Sequence, residues 1–461
     1  MKTKTPLIEA IKEHISVNAL WMHTPGHQGG LLNKSFYDLE EFAKYDLTEL
    51  PGLGNLFSNE GPIYESEIIA SKNAGSKRTL YFTQGATSAI YTIITALGYG
   101  KNVLVPLNAH ISVMNALILS GAKPIFYNYK LDHFGLCEEF NINEIKNKIN
   151  SNIDLVIVQN PTYEGKSGDL KALKRLCEDN GAYLLVDEAH GAHYTYDNML
   201  PESSLRYGLD FIVQSPHKTL PAMTGAALLH INREELVKKI ERHRRLIHST
   251  SPSYLILASL DALNEYYSDI KDKAYKKLLA KVKRLYDFID SLKNTSYLKH
   301  EWVQDFTKLT LIFYANLEKV SNIFIKYGII IEKRSNNTFL LLLTPLLSDD
   351  DMRIIENALC EVELLHYEQV ETEKVVVSSD NKEFSMSIKD AFYADSQKVM
   401  LSDAIGTISS NFVYVYPPGV PILIPGERIE KSIVSLINNS SKSEIVGVEI
   451  QNNNTYLEVI K

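Results

Sequence analysis

The chain has 461 residues, enough for roughly two or three domains and for a core that needs no covalent staples. A composition of 45% hydrophobic and 23% charged residues, with a formal net charge of −8, describes a soluble globular protein and disfavours nucleic acid as its main partner. Cys137, Cys177 and Cys360 are scattered without metal-type spacing and fit a reducing compartment. The opening stretch MKTKTPLIEAIKEHI carries no apolar signal-peptide core, and no apolar run approaches the roughly 18 residues of a membrane helix. A cytoplasmic location with no membrane partner is therefore expected.

Residues 5–20 read as an amphipathic helix through Leu7, Ile11, Ile15 and Leu20. The loop HTPGHQGG follows at 23–30. Residues 45–65 combine glycine and proline with Leu50, Leu53, Leu56 and Phe57, as an ordered extended arm does. From about residue 78, short apolar runs alternate with helix-like stretches. The runs are 102–106, 123–129, 154–159, 182–187, 210–214 and 225–231, and the stretches include 86–97, 109–120 and 170–179. Such alternation predicts a mostly parallel α/β sheet with right-handed crossovers.

Residues 234–293 read as long helices. A second α/β region follows, with strands expected at 308–315, 327–333 and 338–344. The polar stretch 378–382 (SSDNK) reads as a linker to a C-terminal module that holds the rigid segment YPPGVPILIPGE at 416–427. The expected organisation is an N-terminal helix and arm (1–60), a large α/β domain (61–255), a small α/β domain (256–375) and a C-terminal module (376–461).

Two motifs carry the chemistry: DEAHGAH at 187–193 and QSPHKTLPAMTG at 214–225. Each follows a predicted strand, and open α/β sheets place ligands at the carboxyl ends of their strands. Asp187 and Lys218 lie 31 residues apart, the length of one crossover, so their side chains can converge. A lysine of lowered pKa attacks carbonyls, and an aspartate opposite it keeps a pyridine nitrogen protonated, making the ring an electron sink. The alternatives are a helix cap for Asp187 and an exposed loop lysine for Lys218.

TQGATSA (83–89) precedes a helix whose N-terminal amides suit a phosphate, a role that Ser215 and His217 can share; an ordinary capped helix start is the other reading. His110, in NAHIS, stands at a further strand end, where it can face a ring opposite Ala189 or serve structure alone. His23 and His27 flank Pro25 and Gly26, which rules out the helical spacing of a two-histidine metal motif, and no metal is expected.

These segments resemble the bacterial ornithine/lysine/arginine decarboxylases, which are pyridoxal-phosphate enzymes of fold type I. The resemblance covers HTPGHQGG, the GPI of 61–63, TQGATSA, NPTYEGKSGDL (160–170), LLVDEAHGAH, QSPHKTL, TSPSYLILASLD (250–261) and YPPGVPILIPGE. The chain is similar to the shorter Gram-positive-type members, often arginine decarboxylases, without the N-terminal receiver-like wing of the large inducible enzymes.

The resemblance implies pyridoxal 5'-phosphate bound through Lys218, with Asp187 on the pyridine nitrogen and His110 and Ala189 on the two ring faces. It implies Gly85, Ala86, Thr87, Ser215 and His217 around the phosphate, and His190 near the ring substituents. It further implies a homodimer or higher homo-oligomer with active sites at subunit interfaces, where Ser249–Ser251 reaches the neighbouring phosphate. The expected reaction is decarboxylation of a basic amino acid, arginine to agmatine before lysine to cadaverine or ornithine to putrescine. Lys218, His217 and Asp187 are the expected catalytic groups. The alternatives are another pyridoxal-phosphate reaction, such as an aminotransferase or aldolase, and a non-catalytic homologue.

Three positions depart from the family pattern: Gln28 stands for a lysine, Ile111 for the lysine after His110, and Asn411 for a glutamate before YPPG. Asp395, Asp403 and Glu427 are the carboxylates considered as substitutes for the last.

Overall fold

Apolar runs bounded by glycine, proline and polar residues become most of the strands of the main sheet, because both faces of such a run can be buried. The computed structural model describes residues 4–17, 21–30, 40–269, 273–300, 303–335, 337–369, 382–415, 420–439, 445–452 and 454–461. Seven strands form the main sheet: β1 (Arg78–Phe82), β2 (Asn102–Pro106), β3 (Lys123–Tyr127), β4 (Leu155–Gln159), β5 (Tyr183–Glu188), β6 (Phe211–Gln214) and β7 (Ala227–Ile231). Their order is β1-β7-β6-β5-β4-β2-β3. The β2/β3, β2/β4 and β5/β6 pairs are parallel, while β7 runs antiparallel to β1 and β6. The sheet is mostly parallel, as the alternation predicts.

Helices in chain order are α1 (Pro6–Ser16), α2 (Glu40–Ala43), α3 (Pro62–Ala74), α4 (Gly85–Leu97), α5 (Ile111–Ser120), α6 (Ile142–Lys148), α7 (Leu170–Asn180) and α8 (Pro216–Thr219). They continue as α9 (Val237–Ile247), α10 (Tyr254–Asp269), α11 (Ala274–Ile289), α12 (Leu317–Lys326), α13 (Asp349–Val362), α14 (Ile388–Tyr393) and α15 (Lys431–Asn439). Local chemistry sets their ends. Asp169 caps α7 by accepting from Ala172 N, and Gly181 closes that helix in the left-handed region. At α13, Ser348 and Asp351 satisfy one another's backbone in a capping box.

The molecule divides into two compact units, Met1–Ala96 with Leu185–Lys276, and Leu97–Leu184 with Lys277–Lys461. In the first unit Leu80, Phe82, Leu185, Val186, Phe211, Val213 and Leu229 are fully buried. The expected arm is anchored there: Leu53 and Leu56 are buried, and Tyr254 OH donates to Gly54 O at 2.7 Å.

The second unit buries Val103, Leu104, Leu155 and Val156 and carries a four-stranded sheet in the order β10-β11-β9-β8. Its strands are β8 (Thr295–Tyr297), β9 (Lys308–Phe313), β10 (Lys333–Ser335) and β11 (Thr338–Leu342). Phe313, Phe324 and Phe339 pack edge to face at 5.0–5.8 Å on this sheet. Two further three-stranded sheets belong to the C-terminal module.

The structure corrects one strand. The run 327–333 is not extended as a whole: Gly328 closes α12 at φ +70°, Ile330 is 96% exposed, and only Lys333–Ser335 joins the sheet. The helical stretch 234–293 is also broken, by the turn His248–Ser253 between α9 and α10. Most of SSDNK and all of YPPG lie outside the described residues. Among the described residues no helix is long and apolar enough to cross a membrane.

Candidate active site

In the first unit β5 and β6 run side by side, with Asp187 opposite Val213 and Glu188 opposite Gln214. Both strands finish at the same edge, so the turns that follow them converge. The β5 turn delivers Asp187, Ala189 and His190, all buried, and the β6 turn delivers Ser215, His217 and Lys218. Lys218 Nζ lies 3.0 Å from His190 Nε2, so a protonated lysine donates to the imidazole. Asp187 Oδ1 accepts from Ala189 N at 3.1 Å, which orients its carboxylate. His217 Nδ1–H donates to Ala226 O at 2.8 Å, and burial pushes its pKa below the usual histidine range.

Two hydroxyls flank the lysine. Ser215 Oγ, on a fully buried residue, and Thr219 Oγ1 are both enclosed without a hydrogen-bond partner. A buried orphan hydroxyl costs about 1–3 kcal/mol unless some group satisfies it. Nearby, Gly85 N donates to Gly225 O at 2.8 Å, which fixes the start of α4 to the segment just beyond Lys218. Gly225 adopts φ +95°, and a Cβ there would meet Thr83 O at 2.9 Å. Gly85 itself has φ +73° and opens α4, whose first amides, including those of Ala86 and Thr87, precede the i→i−4 ladder of the helix.

A support not visible in the motifs lies behind the site. Glu188 is fully buried and accepts from Ser203 Oγ (2.7 Å), Ser204 N (2.6 Å) and Gln214 Nε2 (2.7 Å). Gln214 Oε1 then meets His230 Nε2 at 3.0 Å, and His230 Nδ1 meets Thr79 Oγ1 at 2.9 Å. This chain ties β5, β6, β7 and β1 to one another. Burial pushes the Glu188 pKa up and drives that of His230 down to about 3. The alternation of side chains in β5 was the available signal, since it sends Glu188 to the face opposite Asp187.

The family described as Orn/Lys/Arg decarboxylase, major domain, matches residues 5–317, and its C-terminal domain matches 371–455. The chain belongs to the Orn/Lys/Arg decarboxylase family. It is thereby a carboxy-lyase, from a family of basic-amino-acid decarboxylases that depend on pyridoxal phosphate. It is 30% identical to arginine decarboxylases of Halalkalibacterium halodurans (95% of this chain, 94% of the relative) and Bacillus subtilis (94% and 93%). It is equally similar, at 30% over 96% of both chains, to an uncharacterized Bacillus subtilis protein, YaaO. Among solved structures, lysine decarboxylase A from Pseudomonas aeruginosa superposes with a TM-score of 0.84 at 20% identity, over 99% of this chain and 80% of that one. The fold is that of fold-type-I pyridoxal-phosphate enzymes.

Two positions singled out in the sequence lie in the second unit. His110 caps α5: its Nδ1 accepts from Ser112 N at 3.2 Å and lies 2.8 Å from Ser112 Oγ. Asn411 is anchored through Nδ2 to Glu458 Oε2 at 3.3 Å and through Oδ1 to Phe412 N at 2.8 Å. Of the carboxylates considered as its substitute, Glu427 is buried, with both oxygens held by Lys382 Nζ at 2.6 and 2.7 Å. That pairing leaves it no spare charge for a substrate cation. Asp395 and Asp403 are exposed.

Proposed function

We propose that this decarboxylase acts on arginine in preference to lysine and ornithine, with pyridoxal phosphate held by the β5 and β6 turns. The observation that carries this reading is the arrival of Lys218 and Asp187 at the ends of adjacent parallel strands, with two buried partnerless hydroxyls next to the lysine in the chain. Those groups fit the cofactor: an amine for its aldehyde, a buried carboxylate for its ring nitrogen, and hydroxyls with the α4 amides for its phosphate. Bound there, the cofactor supplies an aldehyde that captures the substrate amine and a pyridinium ring that takes up the electron pair released with carbon dioxide.

The remaining work falls to the chain. Asp187, oriented by Ala189 N, holds the proton on the ring nitrogen. His190 accepts from Lys218 Nζ and so positions the lysine. The proton that replaces the carboxylate on the substrate Cα comes from Lys218 or, when protonated, from His217. Gly85, Ala86, Thr87, Ser215 and His217 bind phosphate, while Ala189 and His110 cover the ring faces. We assign a cytoplasmic location, consistent with three free cysteines, and a homo-oligomer of at least two chains. The preference for arginine rests on the arginine decarboxylases among the relatives.

Replacing Lys218 with alanine is the direct test. The variant is expected to lose decarboxylation and the visible absorbance of lysine-bound cofactor together. Retained turnover in Lys218→Ala overturns the assignment.

A further inference from the structure

The turn that opens α4 is held by a histidine far from it in sequence. Thr83 N donates to His248 Nε2 at 3.0 Å, and Thr83 Oγ1 lies 3.3 Å from the same nitrogen. On the other side of the ring, His248 Nδ1 lies 2.9 Å from Ser249 O. Ser249 N donates in turn to Gln84 Oε1 at 3.2 Å, and Ser251 N to Ser249 Oγ at 3.2 Å. A main-chain N–H can only donate, so Nε2 is unprotonated, and Nδ1 carries the single ring proton towards the Ser249 carbonyl. The imidazole is therefore neutral, and it clamps Thr83–Gly85 against Ser249–Ser251.

Its surroundings keep it so. His248 is 4% exposed, between the rings of Phe57 (6.2 Å) and Phe82 (5.7 Å). The Arg244 guanidinium stands over both rings, at 5.9 and 5.3 Å, and is itself paired with Glu67. Burial, reinforced by Arg244, depresses the His248 pKa below its ordinary 6.5, against the pull of the Ser249 carbonyl.

We propose that His248 is a positioning residue for the phosphate turn, holding Thr83–Gly85 in its binding conformation by accepting the Thr83 N–H. This rests on the assignment of Gly85–Thr87 to the cofactor phosphate. Protonation turns Nε2 into a donor that faces another donor. The clamp is accordingly intact at pH 6.5 and above, and it fails only as pH falls through the lowered pKa of His248, together with affinity for the cofactor.

The test is an absorbance titration of the full-length protein, freed of cofactor, with pyridoxal phosphate between pH 5 and 8. Wild type is compared with His248→Phe and His248→Gln, because a glutamine carbonyl can take the place of Nε2 but does not titrate. Losing the acceptor in His248→Phe is expected to weaken affinity roughly tenfold or more, while His248→Gln stays within about threefold of wild type at pH 8. The His248→Gln profile is also expected to lack the extra loss of affinity that wild type shows on the acid side.

Wild-type affinity in His248→Phe, or a wild-type acid limb in His248→Gln, overturns the proposal. If His248→Phe does not fold, the His248→Gln profile decides alone: the missing acid loss supports the proposal and a wild-type profile overturns it. A wild type that forms no lysine-bound cofactor absorbance refutes the cofactor assignment itself, a failure distinct from these.

Discussion

Lys218, Asp187, Ser215 and His190 reach one place because β5 and β6 are parallel and end together, and each turn supplies a short polar segment at once. The tolerance of this arrangement is smallest at glycine. Gly225 combines φ +95° with a Cβ position 2.9 Å from Thr83 O, and its carbonyl accepts from Gly85 N. Gly225→Ala is therefore expected to cost about 1–3 kcal/mol and to weaken cofactor binding, since the α4 start must shift. Thermal unfolding and a cofactor titration check both effects; an unchanged titration would separate Gly225 from the phosphate turn.

The residues of this site were legible in unequal measure. Lys218 and Asp187 follow apolar strands within short motifs, so their placement can be read from local pattern. The partner of His248 cannot be read that way, and for Glu188 strand alternation gives only the face it points to, not what it meets there. Their partners Thr83 and Gln214 lie 165 and 26 residues away, and only the folded chain brings them into contact.

At the level of elements, a buried ionic knot joins α3, β1 and α9. Glu67 Oε2 accepts from Arg78 Nη2 at 2.5 Å, and Glu67 Oε1 from Arg244 Nη2 at 2.8 Å and Tyr81 N at 2.9 Å. The Glu67 side chain is 1% exposed and that of Arg244 3%. Glu67→Ala leaves two guanidinium groups in a dry core, so a loss of about 3–5 kcal/mol is expected in a urea denaturation. A loss below about 1 kcal/mol would mean that water or another carboxylate replaces it.

Asp261 of α10 plays a related part: it accepts from Ile8 N at 2.9 Å and from Ser66 Oγ at 2.5 Å, fastening α1 and α3 to its own helix. Burial raises its carboxyl from 3.8 to about 6. The native state thus holds this proton more tightly than the unfolded chain does. Its contribution favours folding below pH 3.8 and is lost as pH rises towards about 6. Asp261→Asn is expected to remove that slope, measured as the difference between wild-type and variant urea midpoints from pH 4 to 7. A difference that does not vary with pH would refute the shift.

Element boundaries in the large sheet followed the apolar runs closely, because burial on both faces selects all of them but the edge strand β3. The run at 327–333 misled for an equally physical reason. Gly328 stops α12 in the left-handed region and leaves Ile330 in solvent, so apolar composition there does not report a strand.

At the scale of the whole molecule, the chain's resemblance to its family extends along both matched domains, from residue 5 to 317 and from 371 to 455. Fold and family follow from that extent, whereas substrate choice turns on a few groups. A single methylene or guanidinium distinguishes the three substrates, and such differences are set by contacts worth roughly 1–3 kcal/mol in a pocket. Asn411, which stands where the family resemblance leads one to expect a glutamate, is anchored to Glu458, and Glu427 is paired with Lys382. The net charge of −8 favours the approach of a cationic amino acid at low salt, but it does not rank one above another.

The measurement that tests the central claim most directly is amine product analysis of the purified protein with pyridoxal phosphate, using arginine, lysine and ornithine in parallel. The account predicts agmatine and carbon dioxide from arginine, with cadaverine and putrescine formed more slowly, and none of them from Lys218→Ala. Keto acids in place of amines, or no amine from any of the three while the lysine-bound cofactor absorbs normally, would contradict it.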